Sequence, residues 1–515
     1  MSLNERTPIL VGGGQAVHRD AAKDLERGCP PHPMDLAGEA ARRAIEDAGA
    51  EGELAKAIDT LAVMRLFADS SPRRAHEHGR ATNPPRSIAR RIGADPRHAI
   101  YAEVGGNTPQ KYVNLMAERI ARGEAEVVLL AGAEAIATLK RAARAGVELD
   151  WQEEVEGSLE DRSFGPPLLN AYEIAHGITY PTQVYPLFEQ AIRNRRRTRL
   201  QDHLVSMGKL FSPFSIAASH NPYAYFPAMR TPRELATPED ENPFIALPYG
   251  RLMNARDGVD QGAAVLLTSV SRARSLGIPQ ERWVFLHGCA DAAEPLLSER
   301  ADYTRCPALG VMAERAFAMA GIGIDDVTAI DLYSCFPSAV EVACVELDLA
   351  ENDRRGLTVT GGLPFFGGPG NNYSMHAIAE MVWRLRGKPD AVGLVTANGG
   401  YLSKHSMGLY SARPVEGDWR REDPAGYQAT LDARPKPVIV EEAHGPATIE
   451  TYTVVFDDQM APRLGIVIGR LDDGARFLAN IPPSDPTLLD SLVGEDGVGR
   501  RGRVGRDGAV NVLES

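Results

Sequence analysis

Short apolar runs rich in Val, Ile, Leu and Ala alternate along the chain with segments whose apolar residues recur at helical spacing. Consecutive apolar residues suit a strand covered on both faces, and the alternation with helical segments predicts α/β layers around buried sheets. The runs carrying this signal are 8–11, 60–64, 99–104, 126–131, 283–287, 329–333 and 391–397.

Two stretches repeat one another. GGNTPQKYVNLMAERIARGEAEVVLLAGAEA begins at Gly105 and GPGNNYSMHAIAEMVWRLRGKPDAVGLVTANGG at Gly368, and both read glycine turn, helix, glycine, strand. The offset from Gly106 to Gly370 is 264, and it also carries Asn107 to Asn371 and Gly123 to Gly387. A duplicated fold is predicted. In the first copy Thr108 suits the N-cap and Pro109 the first helical position, while Tyr112, Val113, Leu115, Met116 and Ile120 share an apolar face. In the second, Ser374 is the expected cap, and Ile378, Met381, Val382 and Leu385 form the buried stripe. Each half thus sets a helix N-terminus, which attracts anions and oxyanions, beside a glycine-rich strand end.

Residues 413–437 are rich in proline and charge without a period, and predict a linker. Beyond Val438 the β-like runs 451–456, 464–468 and 476–479 precede a glycine-rich tail, which predicts a small β-barrel or sandwich of OB-like type. The expected organisation is a first half at 1–275 with an inserted region near 138–250, a second half at 276–412, the linker, and a β domain at 438–515.

The length of 515 residues fits several domains rather than one core. No apolar run approaches the ~20 residues of a membrane-spanning helix. The net charge of −13 repels polyanions, so nucleic acid is not the expected partner, although Arg500, Arg501, Arg503 and Arg506 cluster in the tail. MSLNERTPILVGGG lacks the features of a signal peptide, so a cytoplasmic location is expected. Cys29, Cys289, Cys306, Cys335 and Cys344 form no CxxC pair, and His76 and His78 sit among arginines without partner ligands, so no metal is expected.

Several segments together resemble the thiolase superfamily, especially its sterol-carrier thiolase-like branch, over roughly residues 5–412. The residues from Gly123 to Glu134 are similar to the family's GDADVVVAGG-E segment, DLYSCF (331–336) to its histidine-aspartate-cysteine-phenylalanine box, GGLPFFGGP (361–369) to its GG…GHP loop, and 397–399 to its final Cys-x-Gly. The resemblance implies a duplicated, five-layered αβαβα fold. It further implies an acyl-CoA thioester as substrate or ligand, no covalently held cofactor, and a homodimer, with a monomer left open by the extra domain. Carried across position by position, the nucleophilic cysteine falls on Gly106, or on Gly105 if the register slips, the serine two residues on falls on Thr108, the NEAF asparagine on Tyr333, the GHP histidine on Gly368 and the second cysteine on Ala397. Acyl transfer through a thiolate needs those groups, so ordinary thiolase chemistry is not expected.

The candidates that remain are polar groups near those positions. Tyr333 is the first, because a phenol there could move a proton to or from a substrate oxygen; the plainer alternative is a tyrosine that only satisfies a buried partner. His376 is placed to face the vacant GHP site, where a helix N-terminus favours neutral imidazole, unless it merely packs. His405 follows the last catalytic loop, and Asn398 within that loop could donate to an oxyanion. Gly106, Asn107, Thr108, Gly368, Asn371 and Gly399 are the expected thioester-binding backbone and caps, although asparagine in a glycine turn often serves conformation alone. Cys335 is not expected to replace the nucleophile. RNRRRTR (193–199) could meet CoA phosphates or be a solvated helix face. Three readings follow: an acetyl-CoA acetyltransferase-like acyl-CoA-binding protein without the cysteine, a retro-aldolase on β-hydroxyacyl-CoA using Tyr333, or a non-catalytic CoA-binding regulator.

Overall fold

Strands that are apolar on both sides need cover on both. In the computed structural model, which describes residues 3–50, 53–71 and 77–514, helices supply it. The first half contributes β1 (Pro8–Val17), β2 (Thr60–Val63), β3 (His98–Tyr101), β4 (Val127–Ala135) and, after an insertion carrying β5 (Glu160–Asp161), β6 (Phe244–Ala246) and β7 (Tyr249–Gly250), the strand β8 (Asp260–Ser269). The second half contributes β9 (Val284–Ala293), β10 (Ala329–Asp331), β11 (Val392–Gly399) and β12 (Lys404–Ser411). All seven predicted runs contain strand, though 99–104 and 329–333 leave the sheet early, at Tyr101 and Asp331.

The ten strands order as β10-β11-β12-β9-β1-β8-β4-β2-β3-β5. Outward from the β1–β9 junction, each half places its first strand, then its last, then the strand after its central helix, then its second, so the duplication seen in the sequence is also a duplication of topology. The third strand of the second half is reduced to an extended segment, marked by the bond from Leu332 N–H to Leu357 O at 2.9 Å. Helix Pro33–Ala48 covers β1, β4 and β8, and Pro307–Ala320 covers β9 and β12. Helices Thr108–Arg122 and Tyr373–Leu385 touch each other and strands of both halves, making the central layer of αβαβα. The outer helices lie so close that a Cβ added at Gly12 would stand 2.0 Å from Ala44 O, and one at Gly288 would stand 2.0 Å from Ala316 O. Both central helices end in a glycine with left-handed backbone, Gly123 at φ 76° and Gly387 at φ 70°, which explains why the repeat keeps that residue.

The expected caps differ in detail. Asn107 is the N-cap and Thr108 the first helical residue, and the second helix starts at Tyr373, so Ser374 Oγ is free to donate to Gly106 O at 2.7 Å.

The C-terminal domain has β13 (Gly445–Phe456), β14 (Pro462–Leu471), β15 (Arg476–Ile481), β16 (Arg501–Asp507) and β17 (Val510–Glu514), with helix Pro486–Gly494 between β15 and β16. The order β14-β15-β17-β16-β13 is closed by β13–β14 pairing, a five-stranded OB-like barrel with β15 and β17 parallel. β6 of the insertion joins its edge at Ala246, opposite Val455. The expected linker is not featureless: helix Pro424–Asp432 buries Tyr427 and Leu431, and Tyr427 Oη donates to Asp291 O at 2.8 Å. Among the described residues no helix is long and apolar enough to cross a membrane.

Candidate functional site

Three loop ends converge where the central layer meets the second half: the Gly105–Asn107 turn, the segment after β10, and the β11–β12 connection. They approach to van der Waals limits. A Cβ at Gly106 would lie 2.3 Å from Tyr333 Oη and 2.6 Å from Asn398 O, and one at Gly399 would lie 2.4 Å from Asn107 Oδ1 and 3.1 Å from Gly106 N. The phenol of Tyr333 therefore stands in the space that any side chain at position 106 would enter. Glycine is required there by contact, not by backbone angle.

Tyr333 is 8 % exposed, and its backbone N–H donates to Thr396 Oγ1 at 3.0 Å. Its ring meets Tyr373 edge-on at 5.4 Å, while its hydroxyl has no hydrogen-bond partner among the described residues. Burial, then the neighbouring Cys335 thiol, pushes the phenol well above its ordinary pKa, so it is protonated at neutral pH. It lines a cavity of about 10 Å³ with Thr396, Asn398, Leu402 and His405. That is near the least volume that holds one water.

Asn398 donates through Nδ2 to Tyr185 Oη at 2.8 Å, and its buried Oδ1 has no partner among the described residues. His405 lies on β12 with Nε2 2.9 Å from Leu402 O. A carbonyl only accepts, so Nε2 carries the proton and Nδ1 is the basic nitrogen. Cys306 Sγ is 3.2 Å from the same Nε2. Burial lowers the imidazole pKa to about 4, leaving it neutral, and pushes the Cys306 thiol well up. Cys335 is likewise pushed up to about 12 by burial, so neither thiol offers a thiolate at neutral pH.

The remaining candidates divide. Asn107 Nδ2 donates to Ser406 Oγ at 3.3 Å, its Oδ1 is buried without a partner, and the N–H groups of Gly106 and Asn107 have no acceptor among the described residues. Thr108 is local, with Oγ1 donating to Glu103 O at 3.3 Å. Asn371 holds the turn from behind: Oδ1 accepts from Gly105 N–H at 3.0 Å while Nδ2 donates to Arg65 O at 2.7 Å. Gly368 donates from its N–H to Arg256 O at 2.8 Å and does not line the Tyr333 cavity. His376 is apart as well. Its Nδ1 is 2.6 Å from Gln15 Oε1, its ring meets Phe366, and burial lowers its pKa to about 3. The structure thus gathers Tyr333, Asn398 and His405 around one cavity and leaves His376 in the wall beyond.

Sequence reasoning missed Tyr185, which reaches in from the insertion, and Cys306, the N-cap of helix Pro307–Ala320. Of the two readings of the 193–199 run, phosphate site or solvated face, the structure gives most of its arginines carboxylate partners within the chain. Arg193 pairs with Asp496, Arg195 with Asp302, Arg196 with Glu341 and Glu351, and Arg199 with Asp202. A different basic pocket, of about 650 Å³, is lined by Lys140, Arg141, Arg144, Arg251 and Arg256. Only Lys140 has a carboxylate partner there among the described residues, Asp257 at 2.6 Å. Arg256 lies over the Phe226 ring at 3.3 Å, and burial, then Arg230 and Arg251, lower its pKa to about 10. Its backbone bonds Leu363 and Gly368, and Gly362 of the same loop abuts Ser334 beside Tyr333. His76 lies outside the described residues, so the His76–His78 pair is not described.

Comparison with known proteins agrees with this layout. Residues 427–509 match the family described as the thiolase-like protein type 1 additional C-terminal domain. The monomeric SCP2-thiolase like protein type 1 from Mycobacterium smegmatis is 41 % identical over 99 % of this chain and 100 % of its own, with a TM-score of 0.84. Two further structures share the fold: the Ltp2-ChsH2(DUF35) aldolase, at 21 % identity over 79 % of this chain and 98 % of its own with TM-score 0.56, and the acetyl-CoA acetyltransferase from Syntrophomonas wolfei, at 16 % over 80 % and 100 % with TM-score 0.55. No curated protein matches the sequence significantly.

Proposed function

The chain belongs to the SCP2-thiolase-like protein type 1 family, and from that premise we propose that it binds β-hydroxyacyl-CoA thioesters and cleaves them by a retro-aldol reaction in which Tyr333 replaces the thiolate. The observation that carries this reading is the 2.3 Å approach of Tyr333 Oη to the Cβ position of residue 106, the position onto which the resemblance carries the superfamily's cysteine.

The phenolate form of Tyr333, reached once the phenol has given its proton to solvent, takes the proton of the β-hydroxyl as the bond between the α and β carbons breaks, and the phenol so formed returns that proton to the α-carbon of the acyl-CoA enolate. No net proton is consumed. The N–H groups of Gly106 and Asn107, at a helix start, stabilise the enolate oxygen, and the Asn398 and His405 side chains hold the cavity's polar wall. Arg141, Arg144, Arg251 and Arg256 supply the unpaired positive charge that three CoA phosphates require, beside the loop that leads to Tyr333. β5 covers the outer edge of the sheet at Ile100 and Tyr101, which favours a monomer, as reported for the M. smegmatis relative.

Incubation with acetyl-CoA, with acetoacetyl-CoA plus CoA, and with β-hydroxyacyl-CoA esters, followed by mass spectrometry, tests the reading. Shortened acyl-CoA and a carbonyl product from the β-hydroxy ester are expected. Thiolysis of acetoacetyl-CoA at the rate of a cysteine thiolase would refute it, and tight binding with no turnover of any ester would leave a regulatory CoA-binding protein.

A further inference from the structure

Behind the Tyr185 side of the cavity, three helices far apart in sequence bring two carboxylates and an imidazole together. Glu189 comes from Pro181–Arg195, His203 from Leu200–His220 and Glu341 from Pro337–Leu347. Their exposures are 0, 0 and 1 %. One ligand atom from each lies within 4.8 Å of the other two. His203 Nε2 and Glu189 Oε1 are in hydrogen-bond contact, and Tyr249 Oη donates to Glu189 Oε2 at 2.6 Å. Glu341 Oε1 accepts from Arg196 at 2.8 Å, but Glu341 Oε2 and His203 Nδ1 are buried without partners.

The charges do not balance. Arg196 is the one guanidinium paired with Glu341, and it also meets Glu351, so three carboxylates face a single positive charge. Buried unpaired charge is costly, so the cluster must take up protons shared between the Glu189 and Glu341 carboxyls, or a metal ion in their place. We propose that Glu189, His203 and Glu341 bind one divalent transition-metal ion. An imidazole nitrogen with two carboxylate oxygens is the donor set of zinc and of manganese(II)-like ions. The ion would take the place of the protons otherwise held by the carboxylates, and those protons leave to solvent. Its work is structural: it ties both long helices of the insertion to helix Pro337–Leu347, which begins directly after Tyr333–Phe336. This site is separate from the Tyr333 cavity and stands whether or not the lyase reading does.

The full chain, expressed with added zinc or manganese(II), purified without chelator and desalted, is analysed by inductively coupled plasma mass spectrometry. About one equivalent of metal per chain is expected, falling at least about tenfold in Glu341→Gln and in Glu189→Gln, which keep side-chain shape, with unchanged circular dichroism. The exposed control His220→Ala retains full occupancy. Should Glu341→Gln not fold, Glu189→Gln and the wild-type stoichiometry decide. Wild-type occupancy below about 0.1 equivalent under both growth conditions, or equal occupancy in a folded glutamine variant, overturns the proposal.

Discussion

The glycine turn of the first half and its counterpart in the second have descended to different duties. Gly106 lies against the Tyr333 hydroxyl, and the N–H groups of Gly106 and Asn107 have no acceptor among the described residues. Gly370, Asn371 and Asn372 are buried and serve in support: Asn371 accepts from Gly105 N–H at 3.0 Å, Asn372 Nδ2 donates to Gly132 O at 2.7 Å, and Ser374 donates to Gly106 O at 2.7 Å. The two turns thus differ in duty, the first lying against the Tyr333 hydroxyl and the second bracing the first, while Tyr333, Asn398 and His405 themselves all come from the second half. Within the second half, His376 is sealed in the wall while His405 lines the cavity.

This contrast breaks most directly at Tyr333. Tyr333→Phe should lower cleavage of β-hydroxyacyl-CoA by about 100-fold or more, with a small change in stability because no hydrogen bond is lost; product formation and denaturant midpoints measure the two. Gly106→Ala should come next. Its methyl collides with the phenol at 2.3 Å, so activity and about 1–3 kcal/mol of stability are lost together, and Gly106→Cys by itself should not create a thiolase because the sulfur has no room. A smaller effect is expected for Asn371→Ala, on the buttress side. It removes the buried acceptor of Gly105 N–H and should cost about 1–3 kcal/mol while reducing turnover roughly tenfold. Equal losses of activity for Asn371→Ala and Tyr333→Phe would erase the distinction between the two turns.

The smallest effect is a dependence on pH. Burial lowers the folded-state pKa of His405 to about 4 and of His376 to about 3, so the unfolded chain binds protons first as pH falls below the ordinary 6.5. Their contribution is fully present above that value and is lost between it and about 4 and 3 respectively. Asp331 and Asp260, raised by burial to about 6, act in the opposite sense as pH rises. His376→Gln should therefore flatten the acid limb of a denaturation series without altering substrate turnover, whereas turnover itself should climb with pH through the alkaline range, because Tyr333 has its pKa above the ordinary one.

Much of the architecture was legible because it is written in local patterns. Both-sided apolar runs located the strands, and the left-handed glycines Gly123 and Gly387 made the duplication visible at a fixed spacing. Tyr333, Asn398 and His405 were reachable because each sits at a strand end adjoining a recognisable loop. Tyr185 was not, since a tyrosine inside an amphipathic helix looks the same whether it packs or reaches a cavity. The partners of the arginine run at 193–199 were hidden for a related reason: Glu341 and Asp496 come from sequence-distant elements. Helix Pro424–Asp432 was hidden because its short stripe, Tyr427 and Leu431, is interrupted by polar residues.

Ala246 of the insertion lies opposite Val455 of the barrel, and Leu247 is buried in the barrel's own core. On a ribosome, that apolar hairpin emerges some two hundred residues before its cover does. A chain stopped at 437 would leave it bare, so the last domain protects the earlier ones from association as much as it adds a surface of its own.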